Sequence, residues 1–325
     1  MSIISKGHFK KIYIAGHRGF VGCALARHFA KNSAFEIIAA TREQLDLTDQ
    51  KAVEAFLAQT KPDVVIAACG KVGGIHTNAT YPADFIYQNL MMEANLIHGA
   101  WKTGTKRLLN FGSACIYPKI CTQPMTPDLL MTGKIETTNE PYAIAKLAGL
   151  SLCTSYNKQY ETSFITAIPS NLYGPGDSFD LEKAHVVPSL IRKFHEAMMK
   201  GLSEVTLWSS GQAKRDFLFV DDVAWACEIL LKNYDGITPI NIGAGKSTMI
   251  KELADLIAEM VGFRGRIQWD TSKPDGAPER FLSSSEVRKL GWIPQTDLKS
   301  GLQKTYGWFL KNWAREEKRE QCASL

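Results

Sequence analysis

Residues 11–22 read Lys11-Ile-Tyr-Ile-Ala-Gly16-His17-Arg18-Gly19-Phe20-Val21-Gly22, a β-type apolar run that passes directly into a glycine-spaced turn. Each glycine has a distinct physical use. Gly16 allows the tight turn, Gly19 lets backbone approach a pyrophosphate, and Gly22 lets the following helix pack closely on the strand. The helix that opens here presents free N–H groups to an anion. The stretch therefore predicts a dinucleotide-binding βα turn, with GxxGxxG rather than GxGxxG spacing.

Outward from this turn the same alternation repeats. Apolar runs at 35–40, 63–68, 107–111 and 163–168 are separated by amphipathic stretches at 20–31, 50–60, 82–102 and 141–159. Strands buried on both faces read as continuous apolar runs, with crossover helices between them. The expected fold class is α/β, a doubly wound parallel (Rossmann) sheet. The rhythm changes at Tyr173-Gly-Pro-Gly-Asp177. Helical patterns follow at 186–200, 247–262 and 298–313, while 216–231 and 239–242 are placed to return to the sheet. The expected division is a Rossmann domain of 1–172 plus roughly 216–243, and a smaller α/β C-terminal substrate lobe of 173–215 and 244–325. The polar tail 314–325 is expected to fray.

Composition narrows the function classes. The chain has 325 residues, 45% hydrophobic and 22% charged, which is too apolar for a disordered protein. No run approaches the ~18 apolar residues of a membrane span, and no secretory signal is read at 1–16. Seven scattered Cys lack CxxC spacing, so no metal site is read, and the thiols fit a reducing, cytoplasmic setting. The net charge of +5 comes without a long basic run, which argues against a nucleic-acid partner and is compatible with an anionic small ligand.

The second strand ends Ala39-Ala40-Thr41-Arg42, without the carboxylate that bonds a ribose 2′-hydroxyl. Arg42, with Arg18 in the glycine turn, suits a 2′-phosphate, so NADP(H) is favoured over NAD. Asp46 either contacts the adenine or belongs to a helix-capping segment. Gly243-Ala-Gly-Lys-Ser247-Thr248 imitates a phosphate loop, but position 240 is Ile where the pattern needs Gly. Ser247 or Thr248 is expected instead to cap a helix at 249–260, and Asp221 and Asp222 to cap the helix that follows them.

Tyr142-Ala-Ile-Ala-Lys146 places a phenol and an ammonium on one helix face. The ammonium is expected to favour the phenolate and lower its pKa from ~10. Ser113 follows the fourth strand, at the sheet end where such folds bind ligands, and its hydroxyl is placed to polarise the same substrate oxygen.

With Gly16-x-x-Gly19-x-x-Gly22, Ser113 and Tyr142-x-x-x-Lys146 in order, the chain resembles the extended short-chain dehydrogenase/reductase family. Further segments narrow the resemblance to its nucleotide-sugar epimerase–reductases. They are Lys71-Val-Gly-Gly-Ile75, Tyr81-Pro-Ala-Asp-Phe-Ile86, Gly112-Ser-Ala-Cys-Ile-Tyr-Pro-Lys119, Asn139-Glu-Pro-Tyr142, Asn171-Leu-Tyr-Gly-Pro-Gly-Asp177 and Lys273-Pro-Asp-Gly276. Departures are Ala114 where Ser is common, and Gly70 and Lys193 where Ala and Arg are common.

The resemblance implies NADPH-dependent 3,5-epimerisation and 4-reduction of GDP-4-keto-6-deoxy-D-mannose to GDP-L-fucose. Inversion beside a ketone needs a base and an acid across the ring, and the resemblance assigns these to Cys115 and His185. Tyr142 then protonates O4. Lys146 holds Tyr142 and bonds the nicotinamide ribose. His17, Phe20, Val21, Pro169, Ser170, Asn171, Leu172 and His185 are implied cofactor contacts. Lys193, Trp208, Arg215, Asp275 and Arg280 are implied nucleotide-sugar contacts. A homodimer through stretches 82–102 and 141–159 is implied as well, although packing within one chain explains their periodicity equally.

Rival readings differ locally. A 4,6-dehydratase wants an acidic pair after the strand-end hydroxyl, where Ala114 and Cys115 stand. A simple 4-epimerase needs no thiol there. A colitose-forming enzyme shares nearly all of this machinery. A non-catalytic NADP-binding scaffold typically loses the Tyr or Lys retained here.

Overall fold

In the computed structural model, which describes residues 9–182, 184–273 and 276–323 apart from the side chains of 75–76 and 314–323, the first half alternates strand and helix. The strands are β1 (Lys11–Ala15), β2 (Glu36–Ile38), β3 (Val64–Ala67), β4 (Arg107–Phe111) and β5 (Ser163–Pro169). The helices are α1 (Phe20–Phe29), α2 (Gln50–Thr60), α3 (Ile75–Thr80), α4 (Pro82–Lys102) and α5 (Glu140–Tyr160). Then come β6 (Asn171–Tyr173), α6 (Val186–Met199), β7 (Glu204–Trp208), β8 (Lys214–Arg215), β9 (Phe217–Phe219), α7 (Val220–Asn233) and β10 (Ile240–Ile242). The chain ends with β11 (Thr248–Met249), α8 (Ile250–Val261), β12 (Arg266–Asp270), β13 (Glu279–Arg280), α9 (Ser285–Lys289) and α10 (Leu298–Ala323).

The central sheet runs β2-β1-β3-β4-β5-β10, with every pairing parallel. This is the doubly wound architecture read from the sequence. Chain order reverses between β1 and β3, and that reversal opens a crevice at the strands' C-terminal ends. Successive residues of a strand face opposite layers. Ile12 and Ile14 pack with Leu25, Phe29, Val223 and Leu230 of α1 and α7. Tyr13 and Ala15 pack with Val53, Leu57, Leu96 and Ile97 of α2 and α4. β3 and β4 are buried along their whole length. Truncating a side chain such as Leu109 to Ala costs about 2–5 kcal/mol at such positions.

The second half builds a separate apolar cluster from α6, α8 and α10 against β7 and β9. Here β7 pairs with β12, and β8 lies between β11 and β13. Return to the sheet is narrower than expected. β10 joins β5 and α7 packs beside α1, but β9 pairs with β6 outside the central sheet.

Several local expectations are corrected. β2 covers only Glu36–Ile38, because its neighbour β1 is engaged through just three register positions. α8 begins at Ile250, and the Glu252 carboxylate accepts from the Met249 N–H at 3.2 Å. Neither Ser247 nor Thr248 caps it: Ser247 donates to Glu279, and Thr248 lies in β11. Asp221 pairs with Arg27 at 2.7 Å, and Asp222 accepts from the backbone of Gln295 and Thr296. They brace tertiary contacts rather than cap α7, whose N-cap is Phe219. α10 is assigned to Ala323. Among the described residues no helix is long and apolar enough to cross a membrane.

Candidate active site

The glycine turn has the expected geometry. Gly16 sits at φ 85°, and a Cβ there would lie 2.7 Å from the Ala68 carbonyl. A Cβ on Gly22 would overlap the Gly16 carbonyl, so both positions exclude any side chain. Gly19 is the N-cap of α1, without a side-chain cap and without an acid in the first turn. The N–H groups of Phe20, Val21 and Gly22 therefore have no intrahelical acceptor and lie at the positive end of the helix dipole. The buried Nδ1 of His17 also lacks a partner among the described residues.

Arg18 and Arg42 are exposed, and both act on the Glu43 carboxylate. Thr41, donating its hydroxyl, is the main cause holding Glu43 below its ordinary pKa, and these arginines add to it. The two guanidiniums thus share the corner beyond β2. Asp46 is exposed, and its Oδ1 accepts from the Thr48 N–H and hydroxyl, at 2.9 and 2.8 Å. It belongs to the segment that caps α2, whose N-cap is Asp49. Free backbone donors, an unpaired imidazole nitrogen and two arginines fit a phosphorylated dinucleotide.

Ser113 lies just beyond β4 and opens a short 3-10 turn, accepting from the Cys115 N–H at 3.4 Å. Its hydroxyl lies beside the Tyr142 phenol and the Cys115 thiol and eases the ionisation of both. Pro141 at the start of α5 pre-sets the helical backbone dihedral, and Tyr142 follows it. Tyr142 stacks edge-on against Phe85, with centroids 6.5 Å apart. One turn on, Lys146 Nζ lies 5.7 Å from the Tyr142 ring centroid.

Lys146 donates to the Phe111 carbonyl at 2.9 Å and lies 2.6 Å from Glu93 Oε1. An ammonium has three donors, so one remains for a ligand. Cys69 flanks both the ammonium and the glycine turn, which joins the two halves of the crevice.

The proton state of Tyr142 differs from the sequence expectation. Burial pushes its phenol up to about 12, and Lys146 opposes this without prevailing. Cys115 and Glu93 add to the rise. Burial also pushes the Cys115 thiol up, against Ser113, Arg280 and Lys146. At neutral pH both groups hold their protons.

The second half supplies cations. Arg280 donates to the carbonyls of Ala114 and Tyr117, at 2.7 and 3.4 Å, and so reaches the Cys115 turn. Arg215 stands opposite it across β8 and β13. His185 is the N-cap of α6, and crowding lowers its pKa although its surface is accessible, as in a cleft. Among the described residues no hydrogen bond or ion pair engages its ring. Lys193, further along α6, is half-buried and is also pulled down by burial.

Trp208 ends β7 with 69% of its surface exposed, which removes core packing as its role. Lys273 sits 5.6 Å over its ring. Asp275 lies outside the described residues. The N–H groups of Ser170 and Asn171 are spent on Ile242 and Asp216, which leaves the stretch Pro169–Leu172 fixed at the sheet end.

Ser113, Cys115, Tyr142, Lys146, Arg280 and Arg215 thus form one connected set. His185, Lys193 and Trp208 are not bonded to it. Sequence reading missed Phe85, Glu93 and Asn110. The signal for Glu93 was an acid within the apolar run Met91-Met92-Glu93-Ala94-Asn95-Leu96-Ile97. Among the described residues no cluster of His, Cys, Asp and Glu could hold a metal ion.

Comparison with known proteins agrees with this layout. The chain is 52% identical over 305 residues to a GDP-L-fucose synthase of Sinorhizobium fredii, covering 94% of this chain and 97% of the relative. It is 49% identical over 302 residues to GDP-L-fucose synthase 1 of Arabidopsis thaliana, covering 93% and 94%. A solved GDP-L-fucose synthetase from Naegleria fowleri bound to NADP superposes with a TM-score of 0.87 at 27% identity, covering 95% and 96%. The model of the NAD dependent epimerase/dehydratase family matches residues 12–243. With most of its length accounted for in this way, the chain belongs to the NAD dependent epimerase/dehydratase family.

Proposed function

We propose that the chain catalyses NADPH-dependent 3,5-epimerisation and 4-reduction of GDP-4-keto-6-deoxy-D-mannose, yielding GDP-L-fucose. The observation that carries this reading is the Ser113 hydroxyl, which lies beside both the Cys115 thiol and the Tyr142 phenol and lowers the pKa of each. A proton-transfer group for carbon and one for oxygen thereby face a single carbonyl position. The relatives named above act in the same sense by their names.

The cofactor residues are the glycine turn Gly16–Gly22 with His17 and Arg18, then Arg42 and the Pro169–Leu172 stretch. The α1 N-terminus takes the pyrophosphate and the arginines take a 2′-phosphate. NADPH, when bound, supplies the hydride that reduces C4. Ser113 and Tyr142 hydrogen-bond O4, which makes the C3 and C5 protons acidic. Cys115 and His185 share the base and acid roles on opposite faces of the ring. Tyr142, protonated in the resting site, gives its proton to O4 during reduction. Lys146 directs its third N–H to the nicotinamide ribose.

The lobe of 173–215 and 244–325 holds the nucleotide sugar. There Arg215 and Arg280 take the diphosphate, and Lys193, Trp208 and Asp275 contact the remainder. A cytoplasmic homodimer completes the reading. It is supported by the exposed Tyr87 on α4 and Ile144 on α5, and by the free cysteines.

Purified protein mixed with NADPH and GDP-4-keto-6-deoxy-D-mannose should consume NADPH absorbance and release GDP-L-fucose. An intact NADPH signal with that substrate would remove the reading, and a colitose-type preference would replace it.

A further inference from the structure

Glu93 is 1% exposed in the α4–α5 interface, an expensive place for an acid. Its Oε1 is held by an ion pair without a directed hydrogen bond, and its Oε2 by a hydrogen bond. Oε1 lies 2.6 Å from Lys146 Nζ, and Oε2 accepts from Asn110 Nδ2 at 3.3 Å. Space for the carboxylate exists because residue 149 is glycine. A Cβ there would overlap Glu93 Oε2 and stand 2.8 Å from Asn110 Nδ2. Gly149 lies in the middle of α5, where glycine weakens a helix. Two locally unfavourable choices, on different helices, therefore serve one contact.

Buried ion pairs are often no better for stability than apolar packing, so the pair calls for another use. Lys146 pulls the neighbouring phenol toward phenolate against the effect of burial, and a site that must protonate a substrate oxygen gains from anything that weakens that pull. We propose that Glu93 is a positioning residue: seated in the slot left by Gly149, its carboxylate holds and balances the Lys146 ammonium, and so keeps Tyr142 in its proton-donating form.

The inference rests on the reading of Tyr142 as the proton donor. The titratable groups facing the pair are Cys69 after β3, Cys115 after β4 with Arg280 beyond it, and Tyr142 and Cys153 on α5. Burial pushes all three thiols up, so they stay neutral. Burial pushes the Glu93 carboxyl up and Lys146 pulls it back down, while Glu93 holds the Lys146 ammonium above its ordinary range; at 2.6 Å the two make a charged pair.

The test is Glu93→Gln, which keeps the shape and removes the charge. Tyr142 ionisation is followed by phenolate absorbance against the matching Tyr142→Phe background, with thermal melting and NADPH binding as controls for folding. The Glu93→Gln phenol should ionise about one unit or more below wild type, and the reduction rate should gain a falling high-pH limb in step. Gly149→Ala evicts the carboxylate without altering it and should shift the phenol in the same direction, so it serves if the first variant unfolds. A titration that superimposes on wild type, or moves upward, overturns the proposal. The phenol titration needs no substrate, so an error in the assigned substrate would leave it standing.

Discussion

Arg280 on β13 lies directly opposite Arg215 on β8 in a parallel pairing, and neither guanidinium meets a carboxylate at ion-pair distance among the described residues. Burial, then the charge of Arg280, pulls Arg215 down from its ordinary pKa, yet a guanidinium stays protonated in proteins. Two like charges held side by side are relieved by a bound polyanion, and a diphosphate matches them bidentately.

Arg215→Ala should therefore weaken binding of GDP and of the GDP-sugar by about 1.5–3 kcal/mol, roughly ten- to a hundredfold. NADPH affinity should not change. Without nucleotide the variant should melt no lower than wild type, because a repulsion has been removed. Calorimetric titration with GDP checks this, and an unchanged affinity would refute the diphosphate assignment.

Tyr142→Phe and Cys115→Ser should separate the two chemistries. Removing the phenolic proton should slow reduction by about 10²–10⁴-fold. Solvent deuterium should still enter C3 and C5. Removing the thiol should abolish deuterium entry at the carbon it serves while NADPH still binds. Wild-type deuterium exchange in Cys115→Ser would strip Cys115 of its role.

Arg42→Ala should lower NADPH affinity by roughly tenfold or more while leaving NADH affinity nearly unaltered, because only the former carries the 2′-phosphate. Fluorescence titration with both cofactors decides the matter. An equal loss for both would assign Arg42 to a general role in folding or steering.

Asp177 makes stability depend on pH in a definite direction. Its Oδ1 accepts from the Ser178 N–H at 2.8 Å, its Oδ2 has no partner among the described residues, and burial raises its pKa to about 7. A carboxyl whose folded pKa lies above its unfolded value of ~3.9 binds more protons in the folded state. Its contribution is complete below the unfolded value and is lost as pH rises through the folded one. Asp177→Asn should thus melt higher than wild type at about pH 8, with the difference shrinking toward about pH 5. Parallel melting curves across that range would show that Asp177 is not the group responsible.

What the chain could reveal by itself was local. Apolar runs of strand length, the helical spacing between them and the Gly16, Gly19 and Gly22 pattern are each set within a few residues, and they determined the sheet and its phosphate turn. Tyr142 and Lys146 were legible for the same reason, since four residues of helix bring them to one face. Partners distant in sequence were not legible. Asp222 was read as a cap because its donors, the N–H groups of Gln295 and Thr296, arrive from another part of the chain. The Tyr142 proton was placed wrongly because burial outweighs one neighbouring ammonium, and burial is a property of the assembled site. Glu93, Asn110, Lys146 and Gly149 meet only after α4 and α5 pack over β4, so only the tertiary structure decided which charge stands beside the phenol.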